Sequence, residues 1–588
     1  MLRYVLVLFT LVLSTFGSVW ADDYYVDVSS GSDSNSGRFA QDAWKTITHA
    51  LDNVEGLASA VNPITVHIAE GIYSPLTGES FAIPMRDYVS LKGAGNDFRT
   101  VLDVMSTARG ISCFASSVTI SDLVVMNGQS EGDGAGILVI ACSPIIQNCT
   151  FVMNHIIRAG GSGAAINGLS SNCHPVVISC NFISNSSKAY GGAIACVDAT
   201  VINCVFDSNE AGEDGGAIEI CAGQGLIEDC TFIDNQASTG GAIHAYAAES
   251  IVVRRCEMTG NVAYDGAGIY LSYVENALIE DCQVLRNTAQ HDGGGILLHE
   301  SSPLINNCLI AGNQASHFGG GVQLSWASPH IRCTTVADNQ AGVEGDGICC
   351  AFDGRAMIVD CILWGNRDNE LILATVSFSN VQDQLKEGPG NISEDPLFVQ
   401  GEDCGYFLSQ TVAGQASDSP CVDSGSADSE GLGMRVYSTR TDNGADAGVV
   451  DMGYHVPVAL PRIYAWRDSE FYACRDYFRP IVSAGNEGPH MFADVYAGFI
   501  KPGGEVVCFT AQGLSGHLSP WIPDLVLEHG FSFGPQVLME YEIPSDWAAG
   551  EYMFFIAFCL PGLTEPIGDP ALLTFAVVEN LVRQRGSV

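Results

Sequence analysis

The chain has few basic residues for its size. Its 588 residues include 25 Lys and Arg against 67 Asp and Glu, which gives a formal net charge of −42 at pH 7. Proteins that bind nucleic acid or anionic lipid through a basic patch concentrate positive charge on one face. The composition therefore argues against both kinds of partner, while a hydrophobic fraction of 47% is ample for a continuous core.

Long apolar runs are also absent after the first 21 residues. The run from Tyr4 to Leu13 follows Arg3 and is short for a membrane span, and the small residue Ala21 comes shortly after it. This order is typical of a cleaved secretory signal peptide. We therefore predict a signal peptide at 1–21 and a secreted, extracellular or cell-surface protein with no transmembrane segment after cleavage. The periplasm and an outer-membrane surface are alternative locations.

A sustained helical period is missing too, and a 26-residue period takes its place. Five words begin with Cys and end with Asn at that spacing: CVFDSN (204–209), CTFIDN (230–235), CEMTGN (256–261), CQVLRN (282–287) and CLIAGN (308–313). Between them recurs a glycine word: GGAI at 215–218 and 240–243, GAGI at 266–269, GGGI at 293–296 and GGGV at 319–322. Several short strands per repeat predict an all-β fold, a right-handed parallel β-helix in which each turn advances by about 4.8 Å.

The residue before each repeated cysteine predicts a sharp bend. Apolar residues lie three places before the Cys and two places after it, and this odd step breaks the alternation of a strand. Asn and Asp tolerate the left-handed backbone conformation that such a bend requires. They occupy this position at Asn148, Asn203, Asp229, Asp281, Asn307 and Asp360.

The repeated cysteines predict a file of side chains inside the solenoid. We expect free thiols more than disulfides, because parallel side chains on neighbouring turns hold their Cβ atoms too far apart for a relaxed S–S bond. The predicted file comprises Cys149, Cys180, Cys204, Cys230, Cys256, Cys282, Cys308, Cys333 and Cys361.

Two sets of residues carry a family resemblance. The string YYVDVSSGSDSNSGRFAQDAWKTITHAL (24–51) resembles the N-terminal segment of secreted bacterial proteins of the pectin-lyase-like, right-handed β-helix superfamily. The paired FxxN and GGAI words, as at 206–209 and 232–235, resemble chlamydial polymorphic membrane protein passengers. Both resemblances imply a β-helix over roughly residues 22–455. Segments within 395–453 resemble the closing turns of bacterial β-helix proteins, and Cys404 and Cys421, which flank one of them, are the best candidates for a disulfide.

The repeat and its loss divide the chain into predicted regions. After Pro457 the 26-residue period disappears and longer strands separated by turns take over, which favours a small β-sandwich. The predicted strands there are Ala493–Ile500, Glu505–Thr510, Tyr552–Cys559 and Leu572–Val578. The predicted regions are a signal peptide at 1–21, an N-terminal cap with the first turns at 22–110, regular repeats at 111–370, closing turns at 371–456 and a C-terminal β-sandwich at 457–588.

Outward columns beside the glycine words form the candidate ligand-binding face. A face that mixes Tyr, His, Glu and Trp can stack on sugar rings and hydrogen-bond their hydroxyl groups. An ordinary sheet surface is the alternative interpretation, because aromatic pairs between strands are favoured there in any case. The predicted binding residues are Glu219, His244, Tyr246, Tyr270, His299, Gln323 and Trp326.

A further column predicts a metal or acid–base site. Asp265, His291 and His317 follow the repeated asparagines on consecutive turns, with Asp292 adjacent. Imidazole and carboxylate groups are common metal ligands, although exposed turns also collect such residues by chance. No resident cofactor is predicted, and calcium is the candidate ion that an acidic exported chain suggests.

Catalytic motifs of enzymes with this fold are mostly missing. Polygalacturonases need several aspartates with a nearby HG and an Arg-x-Lys pair, and pectate lyases need calcium-binding carboxylates with an Arg or Lys base. Arg158 and Lys188 are the unpaired candidates for such a base, without an obvious carboxylate cluster. We therefore predict a monomeric, non-catalytic protein that binds a polysaccharide or cell-surface glycan or acts as an adhesin. A polysaccharide lyase or glycoside hydrolase, or a purely structural surface spacer, are the alternatives.

Overall fold

The structure is a computed structural model of the chain. It describes residues 22–60, 62–95, 98–169, 173–367, 374–382, 387–401, 405–434 and 437–457, and beyond them the strands given at the end of this section. The described chain consists of two compact units, one up to Pro457 and one beyond it. No helix in these ranges is long and apolar enough to cross a membrane.

The first unit is a parallel β-solenoid of about 11 turns with about 26 residues per turn, as predicted. Sheet 1 has 14 strands, sheet 2 has 11 and sheet 3 has 13, and every neighbouring pair in the three sheets lies one turn apart.

Sheet 1 is built from the strands Asp22–Val26, Ile64–Ile68, Val89–Lys92, Thr119–Ser121, Ile145–Gln147, Val176–Ile178, Ala199–Ile202, Gln224–Glu228, Ser250–Arg254, Asn276–Glu280, Leu304–Asn306, His330–Arg332, Met357–Val359 and Thr375–Ser377. Sheet 2 is built from Ile83–Pro84, Ile111–Cys113, Ile137–Val139, Ile166–Gly168, Ile194–Cys196, Ile218–Cys221, Ile243–Tyr246, Ile269–Ser272, Ile296–His299, Val322–Ser325 and Ile348–Ala351. Sheet 3 is built from Gly71–Tyr73, Thr100–Asp103, Val124–Met126, Thr150–Val152, Asn181–Ile183, Val205–Asp207, Thr231–Ile233, Glu257–Thr259, Gln283–Leu285, Leu309–Ala311, Thr335–Ala337, Ile362–Trp364 and Asn380–Val381.

Two four-stranded sheets of two-residue strands lie between sheets 3 and 2 in the chain order of each turn. Their strands are Gln129–Ser130, His155–Ile156, Ser186–Ser187 and Glu210–Ala211 in one, and Val262–Ala263, Thr288–Ala289, Gln314–Ala315 and Gln340–Ala341 in the other.

Stacked side chains fill the interior of the solenoid. Phe151, Phe182, Phe206 and Phe232 stack nearly parallel, with ring centroids 5.1, 4.6 and 4.8 Å apart along the column. All four are fully buried. Close-packed aromatic and aliphatic residues of this kind supply most of the free energy that holds the turns together.

An asparagine ladder runs beside these rings. Each side-chain Nδ2 donates to the Oδ1 of the asparagine on the next turn at 2.9 to 3.2 Å, and that Oδ1 also accepts the backbone N–H of the preceding asparagine. The same Nδ2 donates to a backbone carbonyl, as from Asn261 to Phe232 at 3.1 Å. The ladder satisfies polar groups that would otherwise be buried without a partner. It consists of Asn154, Asn185, Asn209, Asn235, Asn261, Asn287, Asn313, Asn339 and Asn366.

The bend before each cysteine has the predicted left-handed backbone. Its φ lies between 50° and 57° at Asn148, Asn203, Asp229, Asp281, Asn307 and Asp360. The thiol that follows the bend donates to the carbonyl two residues earlier, as from Cys282 to Glu280 at 3.1 Å. The described cysteines of the file are free thiols.

One member of the predicted cysteine file was assigned wrongly. Thr335 pairs with Leu309, so Thr334 occupies the file position next to Cys308, and its hydroxyl donates to the Arg332 carbonyl at 2.9 Å. Cys333 lies at the bend instead, with φ of 47°. A strict step of 26 residues from Cys308 leads to Thr334, and the neighbouring cysteine obscured this in the sequence.

An N-terminal helix, Ile47–Val54, lies against the first strands of the solenoid. Thr46 caps it by accepting the His49 N–H at 3.3 Å. Its buried face, which includes Leu51, joins the main core cluster, so the helix covers apolar side chains at this end. The described short 3₁₀ helices are Ala40–Asp42, Pro75–Thr77 and Thr411–Ala413.

The described residues of the segment 387–457, here called the return segment, pack on the outer side of the solenoid. Its described strands, Phe398–Val399 with Phe407–Leu408 and Tyr437–Ser438 with Val456–Pro457, pair antiparallel with each other. Phe407, Tyr454 and Val456 cover outward side chains of sheet 3, including Leu309 and Ala311. The predicted closing turns at 371–456 thus begin with two solenoid strands and continue as this covering layer. Cys404, half of the predicted disulfide, lies outside the described residues.

Beyond Pro457 the described elements are all strands. One sheet contains Arg462–Trp466, Ile481–Asn486 and Phe531–Val537, and a two-stranded sheet contains Tyr477–Phe478 and Tyr541–Glu542. A larger sheet contains Phe471–Ala473, Ala571–Val578, Gly550–Cys559, Met491–Ile500, Val506–Thr510, Gly513–Ser515 and Ile522–Leu527.

Candidate functional site

Sheet 2 positions the predicted binding residues in two columns. In the first column Glu219, His244, Tyr270, Leu297 and Gln323 are paired on consecutive turns. In the second, Tyr246 and His299 are both two residues further along their strands, so they lie on the same side of the sheet as the first column.

The first column is buried except at Tyr270, which is half-buried, although the sequence suggested an open face. Glu219 is 3% exposed, His244 4% and Gln323 0%. The first glycine of each glycine word explains this, because it turns the corner loop directly over the column. A Cβ added to Gly240 would lie 2.7 Å from the Cβ of His244, and one added to Gly319 would lie 2.6 Å from the Cβ of Gln323. Glycine is required at these corners by this contact and by the positive φ.

Glu219 and His244 form a buried hydrogen-bonded pair in this column. The His244 Nδ1 lies 2.7 Å from the Glu219 Oε2 and 4.0 Å from the Asp214 Oδ2. Burial raises the pKa of Glu219 against the opposing effect of His244. Burial alone would lower the pKa of His244, but the Glu219 carboxylate more than offsets this and the pKa is raised. The pair can therefore hold a proton between its two groups, while the corner loop restricts its access to solvent.

Further along the same column Gln323 is buried without hydrogen bonds. Neither its Oε1 nor its Nε2 has a hydrogen-bond partner among the described residues. A buried amide in this state costs about 1 to 3 kcal/mol of stability for each unpaired group. Nothing in the described part of the chain explains why glutamine occupies this position.

Exposed aromatic rings form a continuous row at the end of the sheet 2 strands, here called the aromatic ridge. Successive ring centroids lie 6.1, 5.2, 5.4 and 4.9 Å apart. The ridge consists of Tyr246, Tyr273, His299, Trp326 and Phe352. Trp326 is 52% exposed and Phe352 59% exposed, so both offer ring surface to a ligand.

The sequence predicted three members of the ridge and missed two. Tyr273, Trp326 and Phe352 each follow a sheet 2 strand directly and share a positive φ of 51° to 56°. Trp326 was singled out only because it stands beside Ser325. Following its column in steps of 26 or 27 residues would have found Tyr273 and Phe352.

Acidic residues border the aromatic ridge. Glu249, Glu275, Glu300 and Asp353 are exposed and lie within three residues of the ridge residue on their respective turns. A ligand that lies along the rings therefore meets negative charge at this border. This disfavours polyanions and permits neutral ligands.

A histidine cluster lies at the corner loops that precede the sheet 2 strands. The predicted residues Asp265, His291 and His317 meet here, and Asp292 joins them. The His291 Nδ1 lies 3.0 Å from the Asp265 Oδ1 and 3.5 Å from the Asp292 Oδ2. The His317 Nδ1 lies 3.1 Å from the Asp292 Oδ1. The structure thus brings the whole predicted set into one cluster with Asp292.

Family models match two stretches of the chain. A family described as "Right handed beta helix region" matches residues 169–341, and one described as "Protein of unknown function (DUF1565)" matches residues 29–101. No curated protein matches the chain.

The solved structures that are similar to the chain include the following two. The A-module of the mannuronan C-5 epimerase AlgE4 of Azotobacter vinelandii is 13% identical, with a TM-score of 0.29, over 60% of this chain and 99% of that one. The GH136 lacto-N-biosidase of Eubacterium ramulus is 12% identical, with a TM-score of 0.25, over 60% of this chain and 68% of that one. The right-handed β-helix itself rests on the strand pairing and the family match at 169–341.

Proposed function

We propose that the chain is an exported, non-catalytic protein that binds a neutral glycan along the aromatic ridge. The observation that carries this proposal is the row of five rings on consecutive turns, four of which are at least 45% exposed. Aromatic rings at a surface offer apolar faces on which sugar rings stack. Exposed aromatic patches of this kind are typical of interaction sites.

The spacing of the ridge suits an extended polysaccharide. Neighbouring turns of a parallel solenoid lie about 4.8 Å apart. This rise is close to the length of one hexose unit in an extended chain, so successive sugars can meet successive turns. The exposed hydroxyl groups of such a chain would reach Glu300 and the imidazole of His299, which can hydrogen-bond to them.

The acidic border selects the charge of the ligand. With a net charge of −42 and four carboxylates beside the ridge, the chain repels polyuronates. We therefore expect neutral polysaccharides to bind and polyuronates to bind weakly or not at all.

The test is a binding assay with the full chain and a panel of glycans. Insoluble neutral polysaccharides and polyuronates are compared in pull-down experiments, with and without calcium, and soluble oligosaccharides of the best binder are titrated by calorimetry. We expect Trp326→Ala and Phe352→Ala each to weaken binding about tenfold, the loss of about 1.4 kcal/mol of ring stacking.

The matched control removes an exposed phenyl ring elsewhere. Phe39 is 66% exposed and belongs to the N-terminal loop, so Phe39→Ala should leave binding unchanged. Equal losses in Phe39→Ala and Phe352→Ala would contradict the proposal, as would the absence of binding to every neutral glycan. The second of these outcomes would favour a structural spacer.

Polysaccharide cleavage, by a lyase or a hydrolase, is the second candidate function. The observation that favours it is the His244–Glu219 pair, because a proton held between an imidazole and a carboxylate can serve acid–base chemistry once the corner loop moves aside. Ultraviolet absorbance of unsaturated uronide and new reducing ends detect the two reactions. Turnover that His244→Ala or His299→Ala abolishes would establish this function in place of binding alone.

A further inference from the structure

We propose that the histidine cluster binds one transition-metal ion through His291, Asp292 and His317, with a coordination position open to solvent. Each of the three residues offers a ligand atom, and these atoms all lie within 4.8 Å of one another. This inference is independent of glycan binding at the aromatic ridge.

The distances between the ligand atoms fit tetrahedral coordination of a metal ion after small side-chain movements. Metal–nitrogen and metal–oxygen bonds of about 2.0 to 2.2 Å place neighbouring ligand atoms about 3.3 Å apart in a tetrahedral site. The Asp292 carboxylate already lies 3.1 Å from the His317 Nδ1 and 3.5 Å from the His291 Nδ1. The ion would therefore lie between the two imidazoles and this carboxylate.

The stacking of turns holds the two imidazoles side by side. The rings of His291 and His317 are nearly parallel, with centroids 4.8 Å apart, and Tyr264 stacks on the other face of His291 at 5.1 Å. Phe318 packs against His317, with ring centroids 3.8 Å apart. The aromatic neighbours limit ring rotation, and a site that is ordered before binding loses less entropy when the ion arrives.

Backbone amides of the next turn orient the carboxylates. The Asp292 Oδ1 accepts the Phe318 N–H at 3.0 Å, and the Asp265 Oδ1 accepts the Asp292 N–H at 3.0 Å. Asp265 also lies 3.0 Å from the His291 Nδ1. The ion would replace this contact, because one ring nitrogen cannot both donate to a carboxylate and bind a metal. We assign Asp265 as a positioning residue for Asp292, whose backbone N–H it accepts.

The donor set selects the class of ion. Two imidazole nitrogens and one carboxylate suit zinc, copper or nickel, whereas calcium takes six to eight oxygen ligands. The side chains of His291 and His317 are 37% and 39% exposed, so the site lies at the surface and a water molecule or ligand can complete it. Three protein ligands with an open position are typical of reactive zinc sites.

The test measures metal binding directly. The full chain is treated with a chelator under reducing conditions and titrated with Zn²⁺, Ni²⁺ and Ca²⁺ by calorimetry, and Co²⁺ is used as a spectroscopic probe. We expect one Zn²⁺ or Ni²⁺ per chain, no Ca²⁺ at the same concentration, and visible Co²⁺ bands of a nitrogen and oxygen environment. Thiolate-to-cobalt charge-transfer bands should be absent, because the cysteine file is buried in the core.

Matched variants separate this site from general metal binding. His291→Ala and His317→Ala should each weaken Zn²⁺ binding at least about tenfold, and Asp265→Ala, which removes the acceptor of the Asp292 N–H, should weaken it about tenfold. His330→Ala removes an imidazole from sheet 1 and should change nothing. Circular dichroism verifies folding of each variant. Cobalt bands unchanged in the His291→Ala, His317→Ala double variant, or equal losses in His330→Ala, would overturn the proposal.

Discussion

The asparagine ladder and the aromatic ridge are both columns of side chains spaced one turn apart, yet they differ in every other respect. The ladder repeats one residue nine times and is buried. The ridge uses Tyr, His, Trp and Phe and is largely exposed. In the ladder each amide satisfies its neighbours, so one residue type fits. On the ridge, packing against neighbouring turns does not require one particular residue type. The residue types there can therefore be determined by the ligand that the surface contacts. Uniform buried columns therefore indicate folding, and mixed exposed columns are where binding is to be sought.

Breaking the ladder should have the largest effect. Asn261→Ala removes the partner of the Asn235 N–H, the Asn235 Nδ2 and the Phe232 carbonyl, all inside the core. Unpaired buried groups cost about 1 to 3 kcal/mol each, so we expect a loss of about 5 kcal/mol in the free energy of unfolding. Urea unfolding measures it. Asn276→Ala, at an exposed site on sheet 1, is the control and should cost less than about 1 kcal/mol. Similar losses in both variants would remove the distinction between the ladder and the surface.

Asp281, at one of the bends before the repeated cysteines, is a carboxyl group buried under the return segment. Asp281 accepts hydrogen bonds from Asn307 and from the Tyr437 hydroxyl, both at 2.8 Å, and burial raises its pKa from 3.8 to about 7. The folded protein therefore holds a proton that the unfolded chain releases between these values. Its free energy of unfolding should fall as pH rises from about 4 to about 7, by at most about 4 kcal/mol from this group.

The measurement for Asp281 is urea unfolding at several pH values. Asp281→Asn should lose this pH dependence and become more stable than the unsubstituted chain at pH 8. Glu257→Gln, which neutralises an exposed carboxylate on sheet 3, should retain it. Parallel pH profiles for the unsubstituted chain and Asp281→Asn would show that Asp281 is ionised in the folded state at all these pH values.

The cysteine file is intermediate between the asparagine ladder and the aromatic ridge. The hydrogen bond to the carbonyl two residues earlier is repeated along the file, but the residue type changes at Thr334. The Cys282 thiol donates to the Glu280 carbonyl, as the Thr334 hydroxyl does to that of Arg332. Cys282→Thr should therefore be more stable than the equally branched Cys282→Val by about 1 kcal/mol, one hydrogen bond. Thermal or urea unfolding of the pair measures this. Equal stability would mean that shape alone sets the column.

Extending the ridge should have the smallest effect. Ala222 is exposed and lies one turn before Tyr246, in the column of Tyr273 and Trp326. Ala222→Tyr should tighten binding of a long neutral oligosaccharide about threefold, or about 0.7 kcal/mol. Calorimetric titration compares it with Ala222→Ser. A weaker or unchanged affinity would indicate that the ligand does not follow the ridge.

The sequence predicted the fold well because the fold depends on local repeats. The 26-residue period, the bends at Asn and Asp and the long strands after Pro457 all depend on neighbours in the chain. The predicted strand Ala493–Ile500, for example, lies within the observed Met491–Ile500. The period also placed Asp265, His291 and His317 on adjacent turns, which the structure shows in contact.

What the sequence could not predict depends on layers outside the repeat. Glu219, His244 and Gln323 are buried because the corner loops fold over their strands. The repeat spacing assigns residues to columns but does not predict which columns a loop covers. The return segment pairs with itself and covers Asp281 from residues more than 150 positions later in the chain. Such contacts arise from tertiary packing, for which no period exists to be counted.

The asparagine ladder also has a consequence for how such a protein can change in length. Each asparagine from Asn154 to Asn339 accepts from the turn before it and donates to the turn after it, so a turn within this range can be copied or removed without leaving a group unpaired. The spacing of 31 residues from Asn154 to Asn185 and of 24 from Asn185 to Asn209 leaves their hydrogen bonds at 2.9 and 3.0 Å. Loops can thus grow while the rise per turn stays constant. The number of turns can therefore change during evolution while the distance between turns stays constant. The length of the surface that is available to a ligand changes with the number of turns.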